Sequence, residues 1–161
     1  MGSSCDHDHA PGGLSAVEVG RALDLAERRC VAGGERMTAP RRRVLELLLD
    51  AGEPVKAYDL IARFGTDGTA AKPPTVYRAL EFLEKQGMAH RIASISAYVA
   101  CSVGDRAHAA AFLICDCCGA TEEVIPPEDE ALQQAATASG YLLERTTIEG
   151  HGRCPACRVA A

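Results

Sequence analysis

Two pairs of cysteines carry the most specific chemistry in the sequence: Cys115-Asp116-Cys117-Cys118-Gly119 and Cys154-Pro155-Ala156-Cys157. Each pair offers two thiolates at CxxC spacing, and four thiolates around one ion is the arrangement a structural Zn²⁺ prefers. One CxxC alone is as easily a redox pair or chance. Two of them in a chain of 161 residues, each beside a turn-forming glycine, point to a zinc clasp built from Cys115, Cys118, Cys154 and Cys157. The spacer between the pairs is longer than a compact zinc ribbon needs. It must hold secondary structure, and the clasp would pin the later segment back onto an earlier strand. Four protein ligands leave no open position, so such a site is structural and not catalytic.

Composition bounds the rest. The hydrophobic fraction is 47%, but aromatics are only 4% and Trp is absent, so the core is built from Leu, Val, Ala and Ile. Small lobes of that kind lean on a metal or a partner subunit. The length allows one medium domain or two small ones. Net charge is −5, so a nucleic-acid surface would need its positive charge concentrated locally. The sequence contains no secretory leader, lipidation signal or long apolar run, which predicts a cytoplasmic protein with no membrane partner. In that compartment eight cysteines imply metal or thiol chemistry and not disulfides.

The elements that would position these residues follow from apolar spacing. Residues 1–13 are rich in Gly, Ser and Asp and read as a disordered tail, in which Cys5, His7 and His9 could bind metal only loosely. A first helix is expected over Ser15–Cys30, ended by Gly33-Gly34. Thr38 caps a second, with Pro40 in its first turn and Val44, Leu45, Leu47 and Leu48 on its apolar face. Arg41, Arg42 and Arg43 sit where the helix dipole disfavours positive charge, which makes them candidates for phosphate contact. A short third helix over Ala57–Phe64 and a Gly/Thr/Ala-rich loop lead to Pro73-Pro74. A fourth helix, Thr75–Gln86, carries Val76, Ala79, Leu80 and Leu83 on one face, with Gly87 as its cap. Strands over Met88–Ile92 and Ala97–Ala100 complete the pattern of a winged helix-turn-helix, although the helices alone would equally suit a three-helix bundle. The candidate DNA contacts are Arg41, Tyr58, Thr75, Tyr77 and Arg78, with Arg78 able to fork to guanine or phosphate.

Beyond Cys101 the texture changes. Residues 101–108 form a polar hinge, and Ala109–Cys115 is an apolar run expected as a strand buried on both faces. Ala120–Ile125 reads as a second strand, Pro127–Ser139 as a helix opened by acids and capped by Gly140, and Tyr141–Glu149 as a third strand. The expected fold class is therefore α+β: a winged unit over 14–100 and a small α/β unit over 109–161 holding the four-cysteine zinc site. A lobe that small calls for a dimer.

Met37-Thr38-Ala39-Pro40-Arg41, Lys72-Pro73-Pro74-Thr75-Val76-Tyr77-Arg78-Ala79-Leu80, Phe112-Leu113-Ile114-Cys115-Asp116 with Cys118-Gly119, and His151-Gly152-Arg153-Cys154 with Cys157 resemble the ferric uptake regulator family, most of all its zinc-sensing branch. The likeness runs from about residue 15 in consistent order. It implies a homodimeric repressor of zinc-import genes that binds a palindromic double-stranded operator, with no enzymatic activity or small-molecule substrate. It also implies two Zn²⁺ per subunit, the second a regulatory ion on His90, Cys101, His108 and Glu123. Those four are a sensible tetrahedral set, and strand alternation allows only one of Glu122 and Glu123 to join it. Thr146 or Thr147 stands where many members carry a histidine for a further site. His151 is read as structural, Cys117 as an extra thiol able to compete for the clasp, and Cys30 has no assigned role. The alternatives are the same fold sensing iron, manganese or peroxide, and a thiol-disulfide oxidoreductase using Cys154 and Cys157. The latter needs a helix after Cys154, and too few residues follow to build one.

Overall fold

The computed structural model describes residues 13–65, 71–101, 110–125, 130–144 and 146–159. They divide into two compact units, 13–101 and 110–159. The expected tail and hinge, with Cys5, His7, His9 and His108, lie outside the described residues apart from Gly13 and Cys101.

In the first unit, α1 (Ala16–Ala32) starts at a capping box. Ser15 Oγ accepts from the Glu18 N–H, and the Glu18 carboxylate accepts from the Ser15 N–H at 2.8 Å and hydroxyl at 2.6 Å. The Ser15 hydroxyl, then its N–H, holds the Glu18 carboxyl below the usual range. Val19, Leu23, Ala26 and Cys30 recur every three or four residues and form the buried face. Helix α2 (Ala39–Ala51) follows Thr38, which has cap geometry but no side-chain cap bond, and ends at Gly52 with φ 60°. Next come β1 (Val55–Lys56), α3 (Ala57–Arg63) and α4 (Pro73–Lys85). The last turn of α4 closes on Gln86 one residue earlier than expected, and Gly87 takes the left-handed position after it, φ 66°. Strands β2 (Ala89–Ile92) and β3 (Ala97–Ala100) pair antiparallel in a sheet of order β1-β3-β2, the wing. Val44, Leu48, Leu60, Val76, Leu80, Leu83, Ile92 and Cys30 are fully enclosed, so Cys30 belongs to the core.

The second unit holds β4 (Ala110–Cys115), β5 (Thr121–Val124), α5 (Glu130–Ala138), β6 (Thr147–Gly152) and the short α6 (Pro155–Val159). Sheet order is β5-β4-β6, with β4 antiparallel to β5 and parallel to β6. A parallel pair needs a long crossover, and the stretch through α5 supplies it. Three expectations change here. Strand β4 is buried except at Leu113, which is 52% exposed and lies over Gly150, where an added Cβ would stand 3.2 Å from Leu113 Cδ2. The third strand begins at Thr147 and not Tyr141, because among the described residues β4 offers partners from Ala110 to Cys115. Tyr141 and Leu142 lie outside it and are exposed. Finally, a one-turn helix does form after Cys154, with the Arg158 N–H bonded to the Cys154 carbonyl at 3.0 Å. Pro155 opens it at no loss, since the first helical N–H has no partner anyway.

Candidate metal centre and nucleic-acid interface

The clasp is assembled by strand register. Cys115 ends β4, and Cys118 lies in the turn closed by Gly119, whose φ of 77° suits a residue without a side chain. Parallel pairing sets Cys115 opposite Gly152, which delivers Cys154 two residues later. The Cys154 N–H then donates to Cys115 Sγ at 3.3 Å. The four sulfurs of Cys115, Cys118, Cys154 and Cys157 all lie within 4.8 Å of one another, and Cys118 Sγ is 3.8 Å from Cys154 Sγ. Sulfurs at the corners of a tetrahedron with metal–sulfur bonds of about 2.3 Å stand about 3.8 Å apart. None of the four is in a disulfide. The donor set therefore fits zinc.

Electrostatics agree. The backbone N–H of Cys118, then that of Cys154, holds the Cys115 thiol down to about 6. Burial, reinforced by the neighbouring Cys154 and Cys118 thiols, pushes Cys157 far up. One thiolate is thus prepared, while Cys118 and Cys157 resist ionising beside it until a dication supplies the counter-charge. Cys117 is exposed and outside the four-sulfur set. Next to the clasp, His151 Nδ1 is 3.1 Å from Asp116 Oδ1 and its Nε2 is 3.7 Å from Glu149 Oε2, a structural tie between the two arms. Nothing in the spacing of the sequence marks either carboxylate.

The other expected ligands are placed as follows. His90 is on β2 opposite Val99, and the Cys101 N–H donates to the Met88 carbonyl at 3.0 Å, extending the same ribbon. Met88 faces Cys101 across the ribbon and shares a side with His90 two residues on, so His90 and Cys101 occupy one face. In the second unit, Glu123 lies on β5 opposite Phe112 and is half-buried, while Glu122 is exposed on the other face.

Helix α4 buries Val76, Ala79, Leu80, Phe82 and Leu83 and turns Tyr77, Arg78, Glu81 and Lys85 outward. Thr75 is half-buried in its first turn. Tyr58, second residue of α3, is 76% exposed, and Tyr77 is 47% exposed. The arginine triplet of α2 is engaged within the unit. Arg43 donates to the carbonyls of Phe64 at 2.9 Å and Arg63 at 3.2 Å and to Glu46 at 2.6 Å, closing the end of α3, where a cation is favoured. Arg42 reaches Asp24 at 3.4 Å. The Arg41 guanidinium lies 3.4 Å from the Phe82 ring centroid and donates to the Arg36 carbonyl. Among the described residues, no helix is long and apolar enough to cross a membrane.

The Ferric uptake regulator family profile matches residues 32–151. The chain is 40% identical over 137 residues to the zinc uptake regulation proteins of Escherichia coli (strain K12) and Shigella flexneri, covering 84% of this chain and 80% of each of them. Among solved structures it is similar to a zinc uptake regulator complexed with zinc and DNA, at 36% identity and a TM-score of 0.79 over 88% of this chain and 96% of that one. Holo XcZur is 40% identical, with a TM-score of 0.71 over 86% of this chain and 97% of that one. The chain belongs to the ferric uptake regulator family, in its zinc uptake regulator branch.

Proposed function

We propose that this protein is a zinc-responsive DNA-binding repressor of zinc uptake genes, with Zn²⁺ as co-repressor. The observation that carries the reading is the likeness to a zinc uptake regulator solved with zinc and DNA, along 88% of this chain. The chain's own residues supply the parts. Thr75, Tyr77 and Arg78 of α4 enter the major groove, where a guanidinium can fork to guanine O6 and N7, and Tyr58 contacts the backbone. Arg41, the fifth residue of the expected set, is engaged instead by the Phe82 ring of α4. Cys115, Cys118, Cys154 and Cys157 hold a structural ion, and His90, Cys101, His108 and Glu123 hold a regulatory one, giving two per subunit. When bound, zinc supplies a closed tetrahedral linkage with no position for substrate, so neither set performs a reaction. The chain works in the cytoplasm as a homodimer whose paired α4 helices match a palindromic operator.

Linkage fixes the sign. DNA affinity rises by the same factor by which DNA raises affinity for the regulatory ion. The test is a titration of the protein with duplexes selected from a random pool, at controlled free Zn²⁺, Fe²⁺ and Mn²⁺. Tighter binding with Zn²⁺ alone is expected, and equal affinity with and without it would end the co-repressor reading. A short helix does follow Cys154, so the want of a helix no longer counts against the oxidoreductase alternative. It is opposed instead by the spacing of the four clasp sulfurs, which suits a shared ion.

A further inference from the structure

We infer that Arg41 is a positioning residue that aims α4 at DNA, braced together with Arg29, and is not a phosphate contact. The inference rests on the reading of α4 as the DNA-reading helix. At 3.4 Å from the ring centroid, the Arg41 guanidinium is in contact with the face of Phe82, a buried residue of α4. An arginine over an aromatic face is held there by the ring quadrupole, and more strongly where water is excluded. The same guanidinium donates to the Arg36 carbonyl in the α1–α2 connection. From α1, Arg29 Nη2 donates to the Gln86 carbonyl at 3.3 Å, where the end of α4 leaves carbonyls in need of donors. Both arginines also lie close enough to the enclosed Cys30 to oppose the upward push of burial on its thiol. Two cations, from α1 and α2, thus converge on the C-terminal half of α4.

This explains a placement that otherwise opposes the dipole of α2, because a guanidinium stacked on a neighbouring ring is stabilised there regardless of its own helix. It also links the brace to recognition. Phe82 lies four residues after Arg78, about 6 Å along one rigid helix, so a tilt at Phe82 displaces the side chains that reach the bases.

The experiment uses the full, zinc-loaded chain, a duplex selected by the wild type from a random pool, and a scrambled duplex of equal length. Dissociation constants are measured across a salt series for Arg41→Lys, which keeps the charge, and for Phe82→Leu, which removes the ring but no charge. Zinc content and thermal melting are recorded for each. Each variant is expected to weaken the selected duplex by roughly 3- to 30-fold, the range of a cation–π contact. Binding to the scrambled duplex and the salt slope should stay unchanged, and the double variant should be no weaker than the worse single. Arg29→Gln, which leaves the stack intact, should give the same selective loss. The inference is overturned if Arg41→Lys binds as the wild type does while Arg41→Ala weakens both duplexes and lowers the salt slope by about one, as loss of a phosphate contact would. A melting loss large enough to abolish both bindings in Arg41→Lys and Arg29→Gln would likewise overturn it, since the residues would then hold the fold and not the aim. Failure of the wild type to select any duplex would refute the DNA-binding function itself, a distinct outcome.

Discussion

Replacing Cys118 with serine should dissolve the second unit and leave the first standing. Among the described residues of the second unit the buried side chains are Ala110, Ala111, Phe112, Ile114, Cys115, Ala136 and Cys157, of which Phe112 and Ile114 are large. Burying two such side chains contributes about 3–6 kcal/mol in all. A structural zinc ion contributes an apparent 10–16 kcal/mol or so near neutral pH. Metal therefore outweighs core in this unit. In the first unit, Val44, Leu48, Leu60, Val76, Leu80, Leu83 and Ile92 are all fully enclosed and together contribute on the order of 10–20 kcal/mol before entropy is counted. Hydrogen exchange on the wild type and on Cys118→Ser, with zinc counted in each, separates the units. The variant should lose one ion per chain and the amide protection of Ala110–Cys115 and Thr147–Gly152, while α2 and α4 keep theirs. Persistent protection of β4 and β6 with the ion gone would refute the idea that the clasp, and not the small core, holds this sheet.

Other outcomes follow from single side chains. Cys101→Ser should abolish the response of DNA binding to zinc while leaving one chelator-resistant ion and an unchanged melt; loss of the fold instead would make Cys101 structural. Arg78→Ala should weaken specific binding by about 1–3 kcal/mol and relax base preference at one position of each half-site, measured by selection from a random pool. For Ser15 and Glu18 the folded carboxyl is held low, so the capping box stabilises α1 above the ordinary Glu range and loses that contribution as pH falls through the depressed value. Melting curves of the wild type and Ser15→Ala should differ at neutral pH and converge in acid; a gap that widens in acid would reverse the assignment. Gly150→Ala should leave the second unit as stable or slightly more so, read by the same hydrogen-exchange assay, because exposed Leu113 can yield the few tenths of an ångström that its Cδ2 at 3.2 Å requires while alanine restrains the unfolded chain; a drop in β6 protection would show that Leu113 is held in place.

Helices α1, α2 and α4 were legible because their apolar residues recur with helical period and their ends carry Ser15, Gly33 and Gly87. The clasp was legible because four thiols at CxxC spacing have few other uses inside a cell. What could not be read was decided by partners. Tyr141–Glu149 alternates as a strand should, yet pairing starts at Thr147, because β4 fixes which residues have a neighbour. Arg41, Arg42 and Arg43 look alike in sequence, and only packing gives them a ring, a carboxylate and a helix end respectively. His90 and Cys101 share a ribbon face through pairing across the wing, a relation the spacing between them does not reveal.

The parallel register of β4 with β6 has a consequence in time. Strands β4 and β5 are close in sequence and form a local hairpin, so Cys115 and Cys118 stand ready as a two-sulfur half-site early in folding. The remaining sulfurs arrive only after a slow, non-local search across the α5 crossover. Refolding should therefore run faster when the ion is present from the start than when it is added late, because a chain already holding metal at the hairpin has an anchor for the returning strand.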